Sequence, residues 1–499
     1  MTNASSTSRD RRSHHRRDFL RGAAGLLGAS ALGGIGRARA DEPAAIGDPD
    51  RRLLFVVCAS GGGSIVDSFL PVAVSEVGDD ALADRLNAYP DDLVVQPAGS
   101  NLRAVAPIGS YFVFANSFPL PTFLERHYQD MVVVAHEVTS VNHGVAQKRA
   151  MTGAGIHGGR TIAEAVAARH GIGLPLPNVN MATGGYVEPG DDATLPAYAR
   201  SELVTDPMMF ALSTHGSRGV LGAPDDAGIA RARAVRERLD AVSPFGQAFR
   251  DAPLRQDYLS GRADLSPRLE QLDLITKLML RPQGDLPAEY GLSSSPIQAL
   301  LPETFGHLTT DKWEQQAALA FLLAYFGLSA SNTISLDFEP AFHDDEVVGT
   351  PLAFDYSHSN HRIGQNVMWG RLMLVLDGLI SLLKTTDYLG DPSLGKMWDR
   401  SLIYVATEFG RDKRRPEGSN AWGSAHHLNN GSLLVSPLLR GNRVFGGVDP
   451  KTLLTYGFDG ATGEADPGAI KREGDVYSLI AQTFGIEFAE RREMGGLIR

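Results

Sequence analysis

The chain has one cysteine, Cys58, in 499 residues. A single thiol excludes an internal disulfide and any thiolate-rich metal cluster, so stability has to come from an ordinary buried core, which a chain of this length can build. Beyond the first forty residues no apolar run reaches the length a bilayer span needs, and no cysteine follows the early apolar stretch to accept a lipid. A stable membrane anchor is therefore not expected. Positive charge is also scarce. Setting residues 1–40 aside removes eight Arg and two Asp, leaving 39 Lys and Arg against 56 Asp and Glu, a formal charge of −17. Such a chain is repelled by phosphate backbones and anionic lipid surfaces unless it concentrates a local basic patch, and Lys413-Arg414-Arg415 is too short for one, so nucleic acid is not expected as a partner. Ser60-Gly61-Gly62-Gly63-Ser64 is glycine-rich, but no Gly-Lys-Ser/Thr follows it. That argues against a phosphate-cradling loop, and no nucleotide cofactor is expected.

What the first forty residues do contain is a leader. His15-Arg16-Arg17-Asp18-Phe19-Leu20-Arg21 precedes a small, apolar stretch from Gly22 to Gly36, and Ala38-Arg39-Ala40 supplies a small-x-small cleavage pattern before Asp41. The expectation is a twin-arginine signal over 1–40, recognition by the twin-arginine export machinery, and a periplasmic or secreted mature chain. That route carries folded proteins, so it is compatible with a metal loaded before export.

Leu53 to Ala59 is a continuous apolar run ending in the glycine-rich turn, as a buried parallel strand would be. Met131 to Ala135, Thr333 to Leu336 and Leu402 to Ala406 repeat that grammar, and segments with helical spacing lie between them: Thr161 to Ala168, Trp313 to Phe326, Gln365 to Leu383 and Asp475 to Phe484. The alternation predicts an α/β fold, a three-layer sandwich around a mainly parallel sheet over 41–499. The stretch from about 171 to 295 breaks the rhythm with Pro, Gly and charged helical sequence, and is expected to be a largely helical insertion or cap.

In parallel sheets the strand C-terminal ends carry ligands. Glu408 follows the Leu402 to Ala406 run, and His426-His427 returns after a polar loop. Adjacent histidines in a loop point in different directions, so at most one of these is expected to bind a metal. Asp355-Tyr356-Ser357-His358-Ser359-Asn360-His361 packs one carboxylate and two imidazoles into seven residues. Carboxylate plus imidazole without thiolate favours ions of the Zn²⁺ or Mn²⁺ type. The plainer readings stand beside these: Glu408 and Arg411, three apart, could simply pair, and Asp and His also serve as caps and loop hydrogen-bonders.

Thr407-Glu408-Phe409-Gly410-Arg411, Asp355 to His361 and Ser140-Val141-Asn142-His143, behind the leader, resemble the exported bacterial family catalogued as domain of unknown function 1501. The resemblance spans most of the mature chain, and the Glu-Phe-Gly-Arg run is its most specific element. It implies the alkaline phosphatase and sulfatase fold, with one or two divalent ions held by Asp355, His358, Glu408 and a histidine of the 426–427 pair, and with Asp67 as a further ligand from the first loop. It also implies an exported protein partner. The chain departs from the family pattern at several points: Asp67 is displaced along its loop, one extra residue separates Asp355 from His358, Phe409 stands where phosphatases of this fold place a histidine, and Ala425-His426-His427-Leu428 replaces Asp-His-Trp. One metal is then easier to assemble than two. Ser140 and His143 follow the Met131 run and precede helical sequence, where a nucleophile or proton carrier would sit; His143 reads equally as a hydrogen-bonded loop residue. Two functions follow as expectations: a metal-dependent phosphate- or sulfate-ester hydrolase, or a non-catalytic binding protein on the same scaffold.

Overall fold

The computed structural model describes residues 50–108, 118–213, 224–252, 255, 259, 274–280, 296–336, 342–343, 346–347 and 353–499. The expected leader and cleavage site over 1–40 lie outside these residues. Each continuous apolar run becomes a strand buried on both faces: β1 (Leu53–Ala59), β2 (Met131–Glu137), β5 (Ser331–Leu336) and β6 (Ser401–Thr407). Four further strands complete an eight-stranded sheet: β3 (Asn178–Asn180), β4 (Glu202–Leu203), β7 (Asn429–Val435) and β8 (Arg443–Phe445). The spatial order is β8-β2-β7-β6-β1-β5-β3-β4. Central β1 runs parallel to β6 and β5, with Leu53 opposite Ser401 and Leu54 opposite Ser331. Strand β7 is antiparallel to both neighbours, and the other pairings are parallel. Because β7 runs backwards, its beginning lies at the same sheet edge as the ends of β1, β2 and β6.

The two-residue side-chain period divides the core. Phe55, Val57, Val133, Ile403 and Val405 face one layer, built from helix Leu120–His127, α3 (Lys312–Tyr325) and α4 (His361–Thr385). Leu54, Val56, Cys58, Val134 and Leu402 face the other, built from α1 (His143–Thr152), α2 (Ile162–His170) and α5 (Glu473–Thr483). The result is the expected three-layer α/β sandwich, with Cys58 as a buried packing residue. Local signals set the helix starts. Thr161 and Glu164 form a capping box ahead of α2, and the Asp311 carboxylate accepts the Trp313 and Glu314 N–H groups at the start of α3. Helix α4 is long and apolar enough to cross a membrane, at a mean hydropathy of 1.4, yet 72% of that window is buried in the protein. It is a core helix of the sandwich.

The 171–295 stretch divides. Its first part joins the sheet as β3 and β4, and helix Pro207–Ser213 follows. Pro224–Pro267 belongs to a second compact unit, in which Asp226–Val242 and Pro244–Ala248 are helical. Between 268 and 295 the described residues are Leu274–Leu278, which is helical, and the two that follow.

Trp369 ties α4 to the glycine-rich loop. Its indole is buried, donates Nε1–H to the Ser64 carbonyl at 3.1 Å, and meets Phe69 and Phe354 edge-on at 6.0 and 5.3 Å between ring centroids. Trp369→Ala leaves a large cavity between α4 and the loop, and a loss of about 3–5 kcal/mol is expected in urea unfolding. A change under about 1 kcal/mol would contradict this packing role.

Candidate metal centre

The loop after β1 turns at Gly61, whose φ of +92° suits a residue without a side chain. A Cβ there would also collide with the backbone nitrogen of Asp355. Both backbone polar groups of this residue are taken by the Glu408-Phe409-Gly410-Arg411 run at the end of β6. Gly61 N–H donates to Glu408 Oε1, and Arg411 Nη2 donates to the Gly61 carbonyl. Phe409 packs where a Cβ on Gly62 would sit, and Gly410 pairs with His427 in a short hairpin joining Gly410–Arg411 to His426–His427.

Glu408 and Arg411 are fully buried, yet they do not pair with each other. Glu408 Oε2 accepts from His143 Nδ1 at 2.9 Å, across 265 residues of sequence. Arg411 donates to Asp355 Oδ1 at 3.0 Å, to the Phe354 and Ser424 carbonyls at 3.3 Å, and to His358 Nε2 at 3.2 Å. His143 is the first residue of α1, behind its cap Asn142. His426 Nδ1 donates to the Val141 carbonyl at 2.8 Å, and its ring stacks on Phe409 at 3.9 Å. With both Nδ1 protons engaged, each imidazole turns an Nε2 lone pair toward Asp355.

His143 Nε2 lies 3.6 Å and His426 Nε2 3.7 Å from Asp355 Oδ1. The three ligand atoms all fall within 4.8 Å of one another. An ion held at about 2.0–2.1 Å in tetrahedral geometry sets ligand separations of about 3.3–3.4 Å, so small side-chain shifts close the group around a centre. His143, Asp355 and His426 therefore form a cluster that could chelate one metal ion. The formal charge around it, Asp355 and Glu408 against Arg411, is −1 with neutral imidazoles, which favours a cation. The environment separates the two rings. The Glu408 hydrogen bond, aided by the Glu408 and Asp355 charges, raises the His143 pKa above its ordinary value. Burial lowers that of His426, helped by the nearby positive charges.

The remaining candidates fall around this centre. His358 Nε2 is 3.1 Å from Asp355 Oδ1 and 2.9 Å from His426 Nε2, with a half-exposed ring, so it borders the trio. Glu408, expected as a ligand, stands behind His143 because its two oxygens already serve Gly61 and the imidazole. It is an orienting carboxylate, the role such groups have behind metal-bound histidines. His427, on the opposite face of its strand, uses Nδ1 to accept the Asn429 N–H at 3.0 Å and stays outside the trio. Ser140 Oγ accepts the Asn142 N–H at 3.1 Å, closing the turn before α1.

Asp67 belongs to another group. Fully buried, it accepts from Tyr89 Oη at 2.5 Å and Asn87 Nδ2 at 2.6 Å and faces His361 Nε2 at 3.0 Å, while His361 Nδ1 lies 2.7 Å from Ser424 Oγ. Burial opposes its charge, but the His361 charge and the hydrogen bonds from His361, Ser64 and Tyr89 outweigh burial and hold its pKa well below the usual range. Asn87, Tyr89 and Ser424 carried no signal in the sequence, since each is common as a surface or loop residue. No family model matches the chain, and no curated protein matches it.

Two outcomes follow. Glu408→Gln should weaken zinc binding by about 10–100-fold in calorimetry while His427→Ala leaves it unchanged; equal effects would place the ion elsewhere. The depressed Asp67 pKa means its stabilisation is present above the unfolded value of 3.8 and fades as pH falls toward the folded one. Asp67→Asn should accordingly lose less stability than the parent between about pH 5 and pH 2 in acid unfolding. Parallel curves would refute that linkage.

Proposed function

We propose that this is an exported, single-metal hydrolase of phosphate or sulfate esters, of the kind the resemblance to domain of unknown function 1501 implies. One observation carries the reading: two imidazoles from separate loops have Nδ1 anchored and Nε2 aimed at one carboxylate oxygen, at the sheet edge where α/β folds place ligands. His143, Asp355 and His426 are the ligands, with Glu408 fixing the His143 tautomer and Arg411 fixing Asp355. A bound divalent ion of the zinc or manganese type supplies Lewis acidity, polarising an ester oxygen and lowering the pKa of a water. His358, at the exposed border, holds or receives the proton at Nε2. The twin-arginine leader supports a periplasmic or secreted location and loading of the ion before export.

A second reading is favoured by a specific contact. Asp355 Oδ1 already accepts from Arg411 at 3.0 Å, so its charge is answered within the protein without an ion, as in a non-catalytic binding protein. Elemental analysis with turnover of p-nitrophenyl phosphate and p-nitrophenyl sulfate separates the two. The hydrolase reading expects about one zinc or manganese per chain, and at least a hundredfold loss of ester hydrolysis in His143→Ala or His426→Ala. Stoichiometric metal without turnover of either ester supports the binding protein. A metal content untouched by both substitutions sinks the site itself.

A further inference from the structure

Within the second compact unit, the helix Asp226–Val242 carries the sequence Arg231 to Leu239, with four Arg and one Glu in nine residues of an otherwise acidic chain. At about 100° per residue, Val235, Leu239 and Val242 share an arc of about 60°. Arg231 and Arg238 border one side of that arc and Arg236 the other, while Glu237 and Asp240 fall on the far side. The stripe is not packed inward: Leu239 is 60% exposed, with Val235 and Val242 also exposed. After an extended break at Ser243, the short helix Pro244–Ala248 and its C-cap add Phe245, 68% exposed, and Phe249, their rings 4.8 Å apart. Five of the sixteen exposed large apolar side chains among the described residues thus fall within fifteen residues. Arg231, Arg236 and Arg238 are exposed and have no ion pair among the described residues.

We propose that Asp226–Phe249 is an interfacial docking element for an anionic phospholipid bilayer. A convex helical stripe offers no groove for a peptide. A bilayer supplies what this surface matches: apolar depth for Val235, Leu239, Val242, Phe245 and Phe249, and phosphate groups on both flanks for the arginines, whose stems can cover apolar surface while the guanidinium reaches the headgroups. Glu237, on the far side of the helix, is exposed. Five side chains and three cations support reversible docking rather than anchoring; the arginines make binding sensitive to salt and make it rise with the anionic lipid fraction, against repulsion from the acidic remainder of the chain.

Vesicle sedimentation of residues 41–499 tests this. At low salt, vesicles of phosphatidylcholine with phosphatidylglycerol should bind at least about tenfold more protein than phosphatidylcholine alone, and added salt should release it. Leu239→Glu with Phe245→Glu, or Arg231→Glu with Arg236→Glu and Arg238→Glu, should each lower binding about tenfold. All five replaced side chains are exposed, so unchanged circular dichroism and metal content show that the fold survives. Equal binding to neutral vesicles, or variants that bind like the parent, would overturn the proposal. So would a fall in oligomeric state on substitution without vesicles, which would make the stripe a self-association face.

Discussion

Everything at the sheet edge depends on one glycine residue held from both sides. Gly61 gives its N–H to Glu408 and its carbonyl to Arg411, and neither charged group could lie fully buried without such partners. The clamp spreads outward. Glu408 has one oxygen left, and it orients His143. Arg411 has donors left, and they fix Asp355 together with the carbonyls of Phe354 and Ser424. Removing one member of a buried charged group commonly costs about 3–5 kcal/mol, because the abandoned charge remains in the interior. The Glu-Phe-Gly-Arg run therefore acts as a fastener joining the first loop, the 354–361 loop and the loop before β7.

The same clamp decides the electrostatics. A buried carboxylate behind His143 makes that ring more basic and fixes its tautomer, whereas burial, aided by nearby positive groups, lowers the pKa of His426 despite its hydrogen bond to a carbonyl. Two chemically identical side chains thereby become unequal. Arg411 limits the negative charge that Asp355 and Glu408 would otherwise accumulate, so the centre stays attractive to one cation without assembling the carboxylate density that a pair of ions demands.

Much of this fold is legible in the sequence, because buried parallel strands announce themselves. The runs Leu53 to Ala59 and Leu402 to Ala406 have no polar position to confuse the reading. Strands β3 and β4 escape notice because two or three residues at a sheet edge carry no period, and β4 is partly exposed. At the site, residue density around Asp355 and the return of His426-His427 mark the right loops. Which residue does what is not readable, since the deciding contacts are remote in sequence: Glu408 to His143, and His361 to Asp67 across 294 residues. Nor does the sequence say which of His426 and His427 turns inward, because that follows from hairpin register, and a one-residue slip would exchange them.

The run from Asp355 to His361 shows how a short stretch supplies two different groups. Phe354–His358 forms a 3₁₀ turn, in which residues three apart lie on the same side, so Asp355 and His358 project together at the rim. Asn360 then ends the turn in an extended conformation and α4 begins at His361, which swings the second imidazole into the interior beside Asp67. His361 meets Ser424 as well, and Ser424 lies two residues before His426 and gives its carbonyl to Arg411. The buried Asp67 group and the half-buried cluster that could hold a metal thus share both the start of α4 and the loop before β7. A displacement of the first turn of α4 would move Asp355, His358 and His361 together, so the interior carboxylate holds the rim in place without touching it.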